Sequence, residues 1–287
     1  MTPTIACRSK VGALRAAALL LALALLAGCA AALRQPPPLR TIGEPATSGA
    51  NPERNGPPPQ DRAALLAEAA VQFARRPDAA AVTAARELYL SAARADDRDV
   101  EGLLGAARAG AWLVEQESDR DRRAELATAG VQLCQWCVER APERIDCDYR
   151  LALALGQQAR ERPATATDAL PRIVVLLEKV IATAPALDEA GGHRVLALVL
   201  LRAPAWPLGP GDPERGLTQA LAAVAVAPDY PPNLLALSEA YLANGEPDEA
   251  RRLAIQAQRL AEESLAGGDP DASVWVDQAA RAAAAPR

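Results

Sequence analysis

Apolar residues recur at helical spacing from residue 61 onward, and no stretch of that region alternates with the period of two that indicates a β-strand. Two segments, 232–244 and 248–265, show the pattern most clearly, because only a short Asn-Gly-Glu-Pro turn separates them. Small residues at Ser238, Ala250 and Ala257 allow the two predicted helices to pack closely as an antiparallel pair.

The same pattern predicts eleven helices, at 61–76, 79–95, 100–116, 120–140, 145–160, 167–184, 188–202, 213–227, 232–244, 248–265 and 270–284. Three Ala-Pro pairs follow predicted helix ends at a regular spacing of 43 residues, at Pro142, Pro185 and Pro228. Proline cannot continue the hydrogen-bond ladder of a helix, so each pair is a stop signal. We therefore expect a repeating unit of two helices, with loops at 160–167 and 204–212 that accommodate a long period.

The pair at 232–265 resembles a tetratricopeptide (TPR) helix pair, with Tyr241 in the wedge between its helices. A TPR period is about 34 residues, so the 43-residue copies are longer than the family's unit. The resemblance implies an all-α, TPR-like right-handed solenoid of four to five antiparallel helix pairs and a C-terminal capping helix, over residues 61–284. In a TPR the first helix of each pair lines the binding groove, and here those positions include Leu235, Glu239 and Leu242.

Composition agrees with a helical array. Hydrophobic residues make up 50% of the 287 residues and aromatic residues only 3%, with alanine dominant. Alanine is the best helix former, whereas β-sheets favour branched and aromatic residues. The net charge of −5 and the lack of a basic stripe interleaved with aromatics argue against nucleic-acid binding.

The N-terminus has the three-part form of a secretion signal: a basic start, an apolar run and small residues. The run ends in Leu-Ala-Gly-Cys at Cys29, which resembles the lipobox of bacterial lipoproteins. That resemblance implies a signal peptide at 1–28, acylation of Cys29 and an anchor in the membrane. Ala30 is not an aspartate, which favours the outer membrane facing the periplasm. Residues 29–60 are rich in proline and predict a disordered tether.

A more specific resemblance covers roughly residues 120–262. Gly191-Gly-His-Arg194, the Pro/Gly loop at 204–210 and Gly211-Asp-Pro-Glu214 resemble the TatT-like T-component family of TRAP transporters. That resemblance implies a periplasmic solute-binding protein as partner and a lipophilic small ligand. The candidate contacts in this region are His193, Arg194 and Trp206. His193 also suits helix capping or loop packing, and Trp206 is either a cover over a helix pair or a ligand-facing aromatic.

The five cysteines fall into two groups, two near the N-terminus and three in the helical region. Cys7 leaves with the signal peptide and Cys29 is the lipidation site, so Cys134, Cys137 and Cys147 remain in an oxidising compartment. The helix corner at Pro142 brings Cys137 and Cys147 together, so we prefer that disulfide, with Cys134–Cys147 as the second choice. A zinc site would need a fourth ligand, and we expect no metal and no cofactor.

No constellation of catalytic side chains is evident, so we expect a protein that is not an enzyme. Two hypotheses about the function then remain. One is a lipid-anchored binding subunit of a TRAP-type solute uptake system. The other is a generic outer-membrane TPR scaffold for protein–protein interaction in envelope assembly.

Overall fold

A computed structural model describes residues 61–96 and 98–284 of the chain. The signal peptide, Cys29 and the tether, which the sequence predicts at 1–60, lie outside the described residues. The described part contains eleven α-helices and no strand beyond one isolated bridge between Ala205 and Gly211.

The helices are α1 (Arg62–Phe73), α2 (Ala79–Ala95), α3 (Glu101–Gln116), α4 (Arg120–Arg140), α5 (Ile145–Glu161), α6 (Ala166–Thr183), α7 (Gly191–Arg202), α8 (Pro213–Val226), α9 (Pro231–Ala243), α10 (Pro247–Ala266) and α11 (Ala272–Ala283). Local signals set many of these boundaries. Aspartate side chains cap α1, α2, α4 and α8 by accepting from first-turn amides. Proline opens α8, α9 and α10, and the Ala-Pro pairs follow α4, α6 and α8.

Consecutive helices pack against each other throughout the described chain, which makes five antiparallel pairs, α1/α2 to α9/α10, followed by α11. The first helices of neighbouring pairs also touch, α1 with α3, α3 with α5, and α7 with α9, while α11 packs on α9. Between the third and fourth pairs the contact runs from α6 to α7. This is the predicted solenoid of helix pairs with a capping helix.

Two hydrophobic clusters form the core, and α7 belongs to both. Leu196 and Leu200 of α7 pack into the cluster of the first three pairs, whereas Ala197 packs into the cluster of the last two. Small residues let the second cluster pack closely. Ala240 of α9 and Ala257 of α10 belong to this cluster, and nearby the buried Ser238 hydroxyl donates to the Ala250 carbonyl at 2.7 Å, which joins α9 to α10.

Three details differ from the sequence prediction. The first helix, which was expected to run to residue 76, ends three residues earlier at Phe73. The expected loop at 160–167 shrinks to Arg162 and a 3-10 turn at Pro163–Thr165, because α5 and α6 extend towards each other. The expected start of α7 at Asp188 is wrong by three residues, since the helix begins at Gly191.

Candidate functional site

A groove of about 490 Å³ crosses the first helices of the last two pairs and the capping helix. We call it the C-terminal groove. Its apolar lining comes from Leu198 of α7, Leu235 and Leu242 of α9, and alanine and proline residues of α9, α10 and α11. Leu242 is 48% exposed, so part of this apolar lining faces solvent. An exposed apolar strip between polar residues is typical of a binding site.

The polar rim of the groove includes an ion pair between two helix pairs. Arg202 of α7 donates to both carboxylate oxygens of Glu239 on α9, at 2.7 and 2.6 Å. This hydrogen bonding raises the pKa of Arg202 above its usual value, so the guanidinium stays charged. Arg251 of α10 and Gln278 of α11 complete the rim. The groove therefore combines apolar surface with fixed polar groups, the usual composition of a recognition site.

Arg194 lines the groove, and its guanidinium is largely committed to internal hydrogen bonds. It donates to the backbone carbonyls of Asp188 and Glu189 at 3.1 and 3.0 Å, to the Asp188 carboxylate at 2.8 Å and to the Asn233 amide oxygen at 2.9 Å. Its side chain is only 10% exposed. Arg194 therefore shapes the groove more than it offers a free donor to a ligand.

These bonds hold a left-handed turn before α7. Asp188, Glu189 and Ala190 have φ values of 53°, 52° and 63°, and none is glycine. Left-handed backbone costs about 1–2 kcal/mol for each such residue. Three consecutive instances persist only where the surroundings fix them, as Arg194 and Asn233 do here.

The Asp188 carboxylate also accepts from the Tyr149 hydroxyl at 2.5 Å. Burial, together with the negative charge of Asp188, raises the pKa of Tyr149, so the phenol stays protonated as a donor. Tyr149 and Asp188 line a second cavity, of about 480 Å³, among α1, α2, α3 and α5. The bonded pair of Asp188 and Arg194 thus stands between this cavity and the C-terminal groove.

The other two candidates of the α7–α8 region lie outside the groove. The Nδ1 atom of His193 is 2.7 Å from the side-chain oxygen of Gln219, so the histidine joins α7 to α8. Trp206 is 86% exposed and covers no helix pair. The expectation that it acts as a cover is therefore not what the structure shows. Leu235, Glu239 and Leu242, by contrast, come together with Arg194 around one groove.

Cys137 and Cys147 are bonded in the structure, with Cα atoms 5.4 Å apart at the corner between α4 and α5. Cys134 is a buried free thiol, and burial raises its pKa to about 12. A thiol with that pKa has almost no thiolate at neutral pH and is a poor nucleophile. This side chain therefore suits packing in the core rather than chemistry.

Within residues 61–96 and 98–284, no three His, Cys, Asp or Glu side chains gather in a way that would hold a metal ion. None of the helices in that part of the chain has the length and apolarity needed to cross a bilayer.

No model of a known protein family and no curated protein matches the sequence. Solved structures do match the fold. A thermophilic TPR protein of Thermus thermophilus is similar with a TM-score of 0.56 at 21% identity, over 77% of this chain and 100% of that one. The fold is a TPR solenoid. Lower similarity is found with MamA, at a TM-score of 0.44 and 15% identity over 71% of this chain and 93% of that one.

YrrB, described as a TPR protein with an unusual peptide-binding site, has a TM-score of 0.42 at 15% identity, over 70% of this chain and 86% of that one.

Sequence reasoning missed several groove residues of the TPR solenoid, namely Leu198, Arg202, Arg251 and Gln278. The sequence did contain a signal for one of them, Arg202. Arg202 precedes Glu239 by 37 positions, close to one helix-pair repeat, and opposite charges at equivalent ends of neighbouring first helices favour an ion pair. Arg251 and Gln278 had no such signal, because they reach the groove only through the packing of α10 and α11.

Proposed function

We propose that this protein binds a segment of a partner protein in the C-terminal groove and performs no catalysis of its own. The observation that carries the proposal is the groove itself, whose lining combines leucines with charged and amide side chains. Burying those leucines against apolar side chains supplies affinity, at about 25 cal/mol per Å² of apolar surface. The Arg202–Glu239 pair and the rim donors supply orientation.

The dimensions of the groove limit the bound segment. The groove crosses α7, α9 and α11, and packed helix axes lie about 8–10 Å apart. Two such intervals span roughly 20 Å, which an extended chain covers in about six residues at 3.3–3.6 Å each. The proposed ligand is therefore a short extended segment with apolar side chains.

We place this binding module on a membrane in the cell envelope, held by acyl chains on Cys29. Support comes from the Leu-Ala-Gly-Cys motif that ends the apolar run, and from the proline-rich segment that follows it. A tether of about thirty residues in extended geometry reaches tens of ångströms at about 3.1 Å per residue. The module then has access to partners in the periplasm, and we favour the outer membrane as its location.

Within that setting we propose a role as the non-catalytic binding subunit of a TRAP-type solute uptake system. The support is the TatT-like motif at 191–194 and 211–214. The first part of this motif opens α7, and its Arg194 lines the groove. The partner would then be a periplasmic solute-binding protein, and a lipophilic ligand would belong to the same system.

The second candidate is a scaffold for protein interaction in envelope assembly, which the plain TPR fold and its groove favour. The two candidates differ in the partner and share the groove. One capture experiment therefore tests the groove and separates the partners.

The experiment is affinity capture of the tagged full-length protein from detergent-solubilised membranes and periplasm, with bound proteins identified by mass spectrometry. Wild type is compared with Leu235→Glu, which places a charge in the groove, and with Ile255→Glu on α10, where Ile255 is 55% exposed outside the groove. We expect one partner to be lost with Leu235→Glu and retained with Ile255→Glu. A solute-binding subunit among the lost proteins supports the TRAP role, and envelope-assembly proteins support the scaffold. Equal capture by wild type and both variants would refute the groove as the site.

A further inference from the structure

Two residues 195 positions apart join the first helix pair to the capping helix. Arg76, in the turn between α1 and α2, donates from Nε to one carboxylate oxygen of Asp271 at 3.0 Å and from Nη2 to the other at 3.2 Å. Asp271 stands directly before α11. A solenoid normally contacts only its neighbouring repeats, so this is a contact between its two ends.

Arg76 is fixed in position from its own side of this contact. Its Nη1 donates to the carbonyl of Phe73 at 3.0 Å, and its guanidinium carbon lies 3.9 Å from the centre of the Phe73 ring. The side chain is only 9% exposed. A planar guanidinium that is stacked and hydrogen bonded in this way presents its remaining donors in one direction, towards Asp271.

The side chain of Asp271 bonds to Arg76 instead of capping α11. It occupies the N-cap position of α11, where an aspartate normally accepts from first-turn amides. The N-cap aspartates of four other helices in this chain do so, at Asp61, Asp78, Asp119 and Asp212. The Asp271 side chain makes no such bond, and both of its oxygens accept from Arg76.

The same capping helix forms one wall of the C-terminal groove. Gln278 and Ala282 of α11 line the groove, two to three turns after Asp271. Nearer the start of the helix, the Trp275 ring meets the ring of Tyr230 edge-on, with centroids 5.3 Å apart. Arg76 and Tyr230 therefore hold the beginning of α11, in addition to the packing of this helix on α10 and α9, and the position of α11 sets the distance between the groove walls.

We propose that Arg76 and Asp271 form a latch that closes the solenoid by holding α11 against the first helix pair. Release of the latch frees α11 to move away from α9 and widens the C-terminal groove. The closure is a property of the chain alone. Its consequence for a bound segment rests on the proposed function of the groove.

The test is hydrogen–deuterium exchange of the full-length protein without any partner, with the peptides of α11 followed separately from those of α5 and α6. Arg76→Gln and Asp271→Asn each remove one side of the latch, and asparagine retains the ability to cap α11. We expect exchange of α11 to rise by up to about fivefold in both variants, because the Asp271 side chain is 45% exposed and an ion pair that solvent reaches contributes little more than this, with α5 and α6 unchanged. The control is Glu263→Gln, which breaks the exposed Arg259–Glu263 pair on α10.

The decisive variant is Arg76→Gln, because its substitution lies in the first helix pair while the readout lies in the last helix. Small-angle scattering of the same samples should show a larger radius of gyration for both latch variants than for the control. The proposal is overturned if Arg76→Gln leaves α11 exchange and the radius of gyration at wild-type values, or if exchange rises equally in every helix. Neither result depends on whether a partner binds the groove.

Discussion

Arg194 of α7 and Asn233 of α9 are joined by a hydrogen bond of 2.9 Å, and both side chains also donate to the carbonyl oxygen of Glu189, each at 3.0 Å. These contacts connect the fourth and fifth helix pairs to the left-handed turn that precedes α7. Asn233 is completely buried, and its amide nitrogen donates to the carbonyls of Ala223 and Ala227 as well. One amide thus fixes the packing geometry behind the groove.

Asn233→Ala should lower the free energy of unfolding by about 4 kcal/mol, because three carbonyls and Arg194 each lose a partner at roughly 1 kcal/mol. Urea titration followed by circular dichroism measures the change. Asn244→Ala is the matched control, since Asn244 donates to two carbonyls in a less buried setting, and it should cost about 1 kcal/mol or less. Equal losses for the two variants would contradict the central role of Asn233.

Glu161 should give the protein a defined acid sensitivity. Hydrogen bonding from Arg123 at 2.9 Å, with a further bond from Arg160 at 3.0 Å, holds the pKa of this carboxyl below its usual range. A depressed carboxyl pKa contributes stability that is present above the unfolded value of about 4.3 and is lost as pH falls through the folded value.

Glu161→Gln should therefore cost about 1–3 kcal/mol at pH 7, and this difference from wild type should shrink below about pH 4.3. Unfolding free energies measured from pH 7 to pH 3 test the trend. The exposed Glu143→Gln variant should show no comparable pH-dependent difference. A Glu161→Gln deficit that stays constant across this range would rule out the ionised carboxylate as its cause.

The disulfide between Cys137 and Cys147 determines how many free thiols the mature protein should contain. Denatured but unreduced mature protein should contain a single reactive thiol, Cys134, which should resist alkylation while the protein is folded because it is buried. Removing the bond with Cys137→Ser and Cys147→Ser should cost about 2–3 kcal/mol, the chain-entropy value for a loop of about ten residues. Mass spectrometry after alkylation gives the count, and three thiols would refute the pairing.

Acylation of Cys29 should anchor the protein to the membrane. With wild-type Cys29 the mature protein should fractionate with membranes and carry acyl mass on its N-terminal peptide. Cys29→Ser should release it into the soluble periplasmic fraction or block processing. Cys134→Ser is the control that leaves the anchor intact. Membrane association that persists without acylation in the Cys29→Ser protein would contradict a lipid anchor.

Much of the fold could be predicted because its signals are local. Capping aspartates, helix-opening prolines and Ala-Pro stops set boundaries within a few residues, and the repeat phase placed Leu235, Glu239 and Leu242 on a first helix. The start of α7 was mispredicted because its left-handed turn depends on Asn233, which is 43–45 positions away along the chain.

The remaining features of the site depend on contacts between distant parts of the chain. Gln278 reaches the groove only when α11 packs on α9, and nothing near Arg76 in sequence indicates Asp271 as its partner. Trp206 shows the reverse case. An aromatic residue in a Pro/Gly loop suggests a buried cover or a ligand contact. The loop presents Trp206 to solvent, which contradicts the cover, and the ligand contact stays a prediction.

Site-specific photo-crosslinking in living cells tests the central claim most directly. A photoreactive amino acid replaces Leu242, which is exposed in the groove, or Ile255, which is exposed outside it. We predict a discrete crosslinked product with one partner from position 242, none from position 255, and loss of the 242 product when Leu235→Glu is added. Products of equal yield from both positions, or a 242 product that survives Leu235→Glu, would contradict binding in the C-terminal groove.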